Sequence, residues 1–183
     1  NLNEIKILVL GGSQAAKVFA EKLPRIFEKL KKNKIKIKVF QQCRNEQKNS
    51  LVKFYENAQI DSEIFNFTNK ITNYYSKANL VITRSGASAL GELINVKIPF
   101  ISIPLPTSID NHQIKNASYY EKKGFGYLMQ EKDINNELYG LIKSILEDKS
   151  LIQKILVNQS QYSDKNIFIN INTHIKKIIN EKN

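Results

Sequence analysis

Ile5-Lys6-Ile7-Leu8-Val9-Leu10 runs directly into Gly11-Gly12-Ser13-Gln14. The first six residues are almost all branched and apolar, the composition of a buried strand. Two glycines then end the run. From Ser13 to Lys32, apolar residues recur at Val18, Phe19, Leu23, Ile26, Phe27 and Leu30, close to the helical period. Strand, glycine turn and amphipathic helix together form the first half of a βαβ unit. Pro24 lies inside the helical pattern and predicts a kink or break there.

The same alternation continues to the end of the chain. Strands are expected at Ile35–Phe40, Ile64–Phe67, Leu80–Thr83, Phe100–Ile103 and Gly126–Met129. Helices are expected at Ser50–Ala58, Ile71–Lys77, Ala87–Ile94, Gln113–Lys123, Asn135–Leu146 and Leu151–Asn158. A last amphipathic helix is expected over Ile167–Ile179, so that residues 1–165 form a core and 166–183 an appendage of one domain. Strands that alternate with helices imply right-handed crossovers and a parallel sheet covered on both faces. The fold class is α/β, Rossmann-like. Ligands in such sheets bind beyond the carboxyl ends of the strands. The loops to watch are therefore Gly11–Gln14, Gln41–Arg44, Phe67–Asn69, Arg84–Ala87 and Pro104–Gln113.

Composition narrows the classes. The 183 residues are 42% hydrophobic and 25% charged, enough for a core without staples. Cys43 is the single cysteine, so no intrachain disulfide can form and a reducing compartment is expected. One Cys with His112 and His174 cannot make a zinc site without carboxylates. The net charge of +11 suits anionic partners. However, Lys29, Lys31, Lys32, Lys34, Lys36 and Lys38 read as a solvated helix end followed by the polar face of a strand. No aromatic residues interleave with them, which weighs against single-stranded nucleic acid. The apolar run at Ile7–Leu10 is too short to span a bilayer. The first residue is Asn rather than Met, which suggests a piece of a longer protein.

Three segments carry candidate chemistry. Gly11–Gln14 joins a strand to a helix, where free N–H groups and the helix dipole favour phosphate. It is neither a GxGxxG loop nor a Walker A loop. Arg84-Ser85-Gly86-Ala87-Ser88-Ala89-Leu90-Gly91-Glu92 offers a second such helix start. Glu92 falls about one and a half turns in, among small and apolar residues. A carboxylate buried there needs partners, and a ribose diol would satisfy both oxygens; a salt bridge or an exposed helix glutamate is the equal alternative. The third segment, Pro104 to Gln113 with Asn116-Ala117, carries Asp110 or Asn111 as helix cap and brings His112 and Gln113 near the strand ends. A lone His is more often a structural hydrogen-bonder than a catalyst. The sequence has no Asp-x-Asp pair for holding a divalent ion on a diphosphate, and neither a metal nor a cofactor is expected. Phe40-Gln41-Gln42 lacks the acid that a dinucleotide ribose requires, which disfavours NAD.

Gly11–Gln14, Arg84–Ala87, Glu92 five residues after Ala87, and Asp110–Gln113 with Asn116-Ala117 agree in order and spacing with one family. Over nearly its whole length the chain resembles the C-terminal half of the MurG family. These are bacterial, inverting, metal-independent GT-B glycosyltransferases of peptidoglycan synthesis, and so of cell wall biogenesis, cell shape and cell division. They transfer GlcNAc from UDP-GlcNAc to an undecaprenyl-diphospho-muramoyl-pentapeptide, converting lipid I to lipid II. The resemblance implies a donor site of Gly12, Ser13, Gln14, Phe67, Thr68, Ser85, Gly86, Ala87, Ser88, Ala89, Glu92, His112 and Gln113. Within it, Ser13 and the Ala87–Ala89 backbone would meet the diphosphate. Glu92 would accept from the ribose, Phe67-Thr68 would read the uracil edge, and Gln113 with His112 would bind the sugar. Ala15, Ala89, Lys97 and His112 depart from the residues usual in the family.

In that family the N-terminal half supplies the GGTGGH loop, the acceptor site, the general base and the membrane-docking patch. The expectations that follow are a donor-binding chain inactive by itself, a peripheral location on the cytoplasmic face of the inner membrane, and no nucleic-acid partner. The alternatives are the catalytic subunit of a bipartite UDP-GlcNAc transferase of N-glycan synthesis and, less favoured, a basic nucleic-acid-binding module.

Overall fold

The computed structural model describes residues 4–12, 17–162 and 177. The elements are β1 (Ile5–Leu10), α1 (Lys17–Lys32), β2 (Ile37–Gln42), α2 (Asn45–Asn57), β3 (Asp61–Phe65), α3 (Thr72–Tyr75), β4 (Leu80–Thr83), α4 (Ala87–Asn95), β5 (Phe100–Ser102), α5 (His112–Lys122), β6 (Tyr127–Leu128), α6 (Ile134–Glu147) and α7 (Lys149–Gln161). All pairings are parallel, in the order β3-β2-β1-β4-β5-β6. This is a Rossmann-like sheet whose order reverses between β1 and β4, and a crevice opens where the two strands diverge.

Side chains that alternate along each strand feed two cores. Ile5, Ile7 and Val9 of β1 pack with Phe19, Phe27, Leu138 and Ile142 on one face. Leu8 and Leu10 pack with Leu90, Leu93 and Phe125 on the other. Helices cover both faces, which is why β1, apart from Lys6, and β4, up to Thr83, read as apolar runs. The sheet edges differ. β3 carries Asp61, Ser62 and Glu63, and the Lys38 ammonium reaches Asp61 at 2.7 Å. β6 is only two residues long.

Several helices end alike. At the end of α4, Ile98 N–H donates to the Leu93 carbonyl at 3.0 Å and Lys97 N–H to Ile94 at 3.1 Å. These are the two bonds of a Schellman cap, which needs a left-handed residue between helix and exit. Lys97 supplies it with φ of 56°. The same pair of bonds closes α1 at Lys34 (φ 62°), α2 at Gln59 (φ 53°) and α5 at Gly124 (φ 69°).

The structure corrects several expectations. α1 runs unbroken through Pro24 from Lys17 to Lys32. β2 begins at Ile37 rather than Ile35, because Lys34 is still part of the α1 cap. α2 begins at Asn45 rather than Ser50, its start fixed by Gln47 Oε1, which accepts from Arg44 N–H at 3.3 Å. β3 begins at Asp61 rather than Ile64 because ladder pairing with β2 recruits polar residues. Asn111 occupies the N-cap of α5, yet no side chain caps the helix; Asp110 and Asn111 are both left-handed, at φ of 50° and 53°. Cys43 follows β2 as a free thiol, and it is buried. The boundary at residue 165 and, residue 177 apart, the helix at Ile167–Ile179 lie outside the described residues.

Candidate nucleotide-sugar site

A cavity of about 1130 Å³ opens at the carboxyl ends of the strands. All five loops singled out from the sequence contribute to it. Its walls include Gly11 and Gly12 after β1, Gln42 at the end of β2 and Arg44 after it, and Phe67 to Asn69 after β3. Gly86, Ser88, Ala89 and Glu92, with Leu105 to Thr107 and Gln113, complete the circuit. The cavity lies at the point where the strand order reverses.

Gly12 has φ of 75°, a conformation that a side chain would strain. Gly11 N–H donates to Gln42 Oε1 at 3.2 Å, tying the ends of β1 and β2. Ser13, Gln14 and Ala15 lie outside the described residues, so the first helix start is not described.

The second helix start is well defined. Leu90 N–H makes the first bond of α4, to the Gly86 carbonyl at 3.0 Å. The N–H groups of Ala87, Ser88 and Ala89 therefore precede any intrahelical acceptor. Gly86, at the N-cap, has no side chain to occupy them. Three aligned N–H groups and the positive end of the helix dipole form a receptor for an anion. Ser88 and Ala89 line the cavity, and Ala87 is exposed beside them.

Glu92 lines the same cavity from the α4 side. Of the two readings open from the sequence, a buried carboxylate and an exposed helix glutamate, the structure shows the second: Glu92 is exposed, because its side of α4 faces the open cavity rather than the core. Tyr75 O–H donates to its Oε2 at 3.0 Å. Burial, with the nearby Glu92 charge, holds the Tyr75 phenol above its ordinary pKa, so the hydroxyl remains a donor.

Gln113 enters from the start of α5. Its Oε1 accepts from Leu105 N–H at 2.9 Å and Ser85 N–H at 3.2 Å. Asn116 adds a bond from Nδ2 to the Ser85 carbonyl at 3.1 Å. The two amides thus lock the β4–α4 turn to the segment after β5, and the Gln113 NH₂ is left to donate elsewhere. Ser85 itself is fully buried. His112 sits apart from the cavity wall, with Nδ1 2.8 Å from the Ile109 carbonyl. Phe67 is 76% exposed at the rim, with Thr68 beside it.

Sequence reasoning gave no role to four groups that shape this site. Arg84 is buried under the β4 end and donates to the carbonyls of Ile103 at 3.2 Å and Pro104 at 3.1 Å. It also pairs with Glu131 and stacks 4.7 Å above the Phe19 ring. Its guanidinium thus braces the loops from beneath. Glu131, Tyr75 and Gln42 complete the set. Their partners lie far off in sequence, so no local motif announces them. Among the described residues no cluster of His, Cys, Asp and Glu could hold a metal ion.

A family model described as Glycosyltransferase family 28 C-terminal domain matches residues 6–176. Among curated proteins, the UDP-N-acetylglucosamine--N-acetylmuramyl-(pentapeptide) pyrophosphoryl-undecaprenol N-acetylglucosamine transferase of Pelagibacter ubique is 39% identical over 184 residues, covering 99% of this chain and 51% of that protein. The protein of the same name from Rickettsia bellii is 37% identical over 134 residues, covering 72% of this chain and 38% of its own length. Among solved structures, Acinetobacter baumannii MurG superposes with a TM-score of 0.76 at 26% identity, over 87% of this chain and 46% of that one. A UDP co-structure of S. aureus MnaA shares the fold, with a TM-score of 0.66 at 12% identity, over 97% and 47%. The chain spans about half, or less, of the length of these relatives.

Proposed function

Since the chain belongs to the family of glycosyltransferase family 28 C-terminal domains, we propose that its cavity binds UDP-GlcNAc as the donor half of a GT-B transferase. The observation that carries this is the placement of two unlike receptors on one cavity. The open start of α4 presents N–H groups to a diphosphate, and Glu92, farther along the same helix, presents carboxylate oxygens to a diol. A nucleoside diphosphate carries both groups.

In this reading the Ala87–Ala89 N–H groups neutralise the diphosphate, and the family resemblance adds Ser13 and Gln14 as further contacts. The Phe67-Thr68 backbone reads the uracil edge. The Gln113 NH₂ donates to a sugar hydroxyl, while its oxygen keeps the wall in place. His112, whose Nδ1 is engaged by the Ile109 carbonyl, has Nε2 to offer the sugar. With no Asp-x-Asp pair in the sequence, the diphosphate is held by helix dipole and backbone donors.

The acceptor is the undecaprenyl-linked muramoyl-pentapeptide of the relatives' names, held by an N-terminal half that also supplies the base and the contact with the cytoplasmic face of the membrane. By itself the chain binds donor and transfers nothing. Calorimetric titration with UDP-GlcNAc, UDP-GalNAc and UDP, with and without EDTA, tests this. Expected is binding that survives EDTA and weakens by about tenfold or more in Glu92→Ala, the loss of a hydrogen bond to a charged group. Binding that requires a divalent ion, or no binding of any uridine nucleotide, would overturn it.

A further inference from the structure

We propose that Tyr75 is a positioning residue, whose hydroxyl holds Glu92 in the orientation that receives a ribose diol and so gives the site its preference for ribonucleotides. The proposal rests on the donor-site reading of Glu92 above.

The two residues differ in freedom. Tyr75 ends α3, and its ring is packed into the second core with only 7% exposure. A ring so held cannot swing away. Glu92 is an exposed glutamate with three rotatable side-chain bonds, and without an anchor it would sample many rotamers. The 3.0 Å bond from Tyr75 to Oε2 removes that freedom before a ligand arrives. Among the described residues no cation lies within salt-bridge range of Glu92. A neutral donor therefore orients the carboxylate without neutralising it. A carboxylate has about four acceptor sites; Tyr75 takes one and leaves room for two ribose hydroxyls. Tyr75 also lines the cavity itself, so the bond lies where the nucleoside would sit.

The test titrates the 183-residue chain with UDP and with 2′,3′-dideoxy-UDP, as wild type, Tyr75→Phe, Glu92→Ala and the double variant. Tyr75→Phe keeps the ring and its packing. Expected is a wild type that prefers UDP. Tyr75→Phe should weaken UDP by about three- to tenfold and leave the dideoxy nucleotide within about twofold, as for one hydrogen bond. In the Glu92→Ala background the Tyr75 change should have no further effect. Equal weakening of both nucleotides, or an unchanged preference in Tyr75→Phe, overturns the positioning role and leaves the donor-site reading intact. A wild type that binds both nucleotides equally removes the diol role of Glu92 and this proposal with it. A wild type that binds neither removes the donor-site reading as well.

Discussion

The Arg84 guanidinium at the end of β4 is paired with the Glu131 carboxylate just before α6, 47 residues later. Their side chains are 10% and 23% exposed, so the pair is largely shielded from water. The same guanidinium holds two carbonyls after β5. Removing it leaves two carbonyls and a carboxylate without their donor. Arg84→Ala is expected to lower stability by about 3–5 kcal/mol, the cost of breaking a buried pair from one side. A urea unfolding curve reads this directly. A loss within experimental scatter would mean that the brace contributes nothing.

Gln113 divides into two separable roles. Its oxygen accepts from Ser85 and Leu105, while its NH₂ is the group available to a ligand. Gln113→Glu keeps acceptor oxygens and should leave the urea midpoint nearly unchanged. It loses the amide donor and adds negative charge beside the proposed diphosphate site. UDP-GlcNAc binding should fall by about tenfold or more. Gln113→Ala should instead reduce stability by about 1–3 kcal/mol, since two N–H groups lose their acceptor.

Lys97 performs a glycine's task. It holds φ of 56° in the Schellman cap of α4. A left-handed conformation costs a side-chain-bearing residue about 1–2 kcal/mol. Glycine escapes this cost but gains freedom in the unfolded chain, an offset of about 0.5–1 kcal/mol. Lys97→Gly is therefore expected to stabilise by roughly 0.5–1 kcal/mol. Lys34→Gly and Gln59→Gly should behave alike. The three caps close different helices, so a triple variant should show near-additive gains in thermal midpoint.

The protein should lose stability in alkali. Burial raises the pKa of Cys43, Tyr55 and Tyr75, and of Tyr74 to about 12, where the Glu63 hydrogen bond adds to burial. For such groups the folded state keeps a proton that the unfolded chain releases. Their contribution is complete below the unfolded values, about 8.5 for Cys and 10 for Tyr. It is lost as pH rises above them and through the folded values. The urea midpoint should fall progressively above about pH 9. Tyrosinate absorbance should show delayed phenols that titrate only on unfolding. Phenols titrating normally in the folded protein would contradict this.

Much of the sheet was legible because β1 and β4 are central and buried on both faces, so their apolar runs mark their ends. The polar element starts were not. Asn45 to Asn49 contains no apolar residue to reveal a helical period, and Asp61 to Glu63 is strand only because β2 lies beside it. The site was legible through its loops, which sit at strand ends by rule. Its inner supports were not. Arg84–Glu131, Tyr75–Glu92 and Gly11–Gln42 join residues far apart in sequence, and only the folded topology brings them together. For Glu92 the sequence left burial and an exposed helix position level, because its small, apolar neighbours do not reveal that its side of the helix opens on a cavity.

The two edges of the sheet bear on how such a chain behaves in a crowded solution. An open edge of unpaired backbone groups is a template for another molecule's strand, and the usual outcome is aggregation. Here one edge carries Asp61 and Glu63, with Lys38 alongside, and an incoming apolar strand would have to desolvate those charges. The other edge, two residues of β6, is too short to seed a ladder. Among the described residues, then, neither border offers a long apolar ladder on which a second copy could zip.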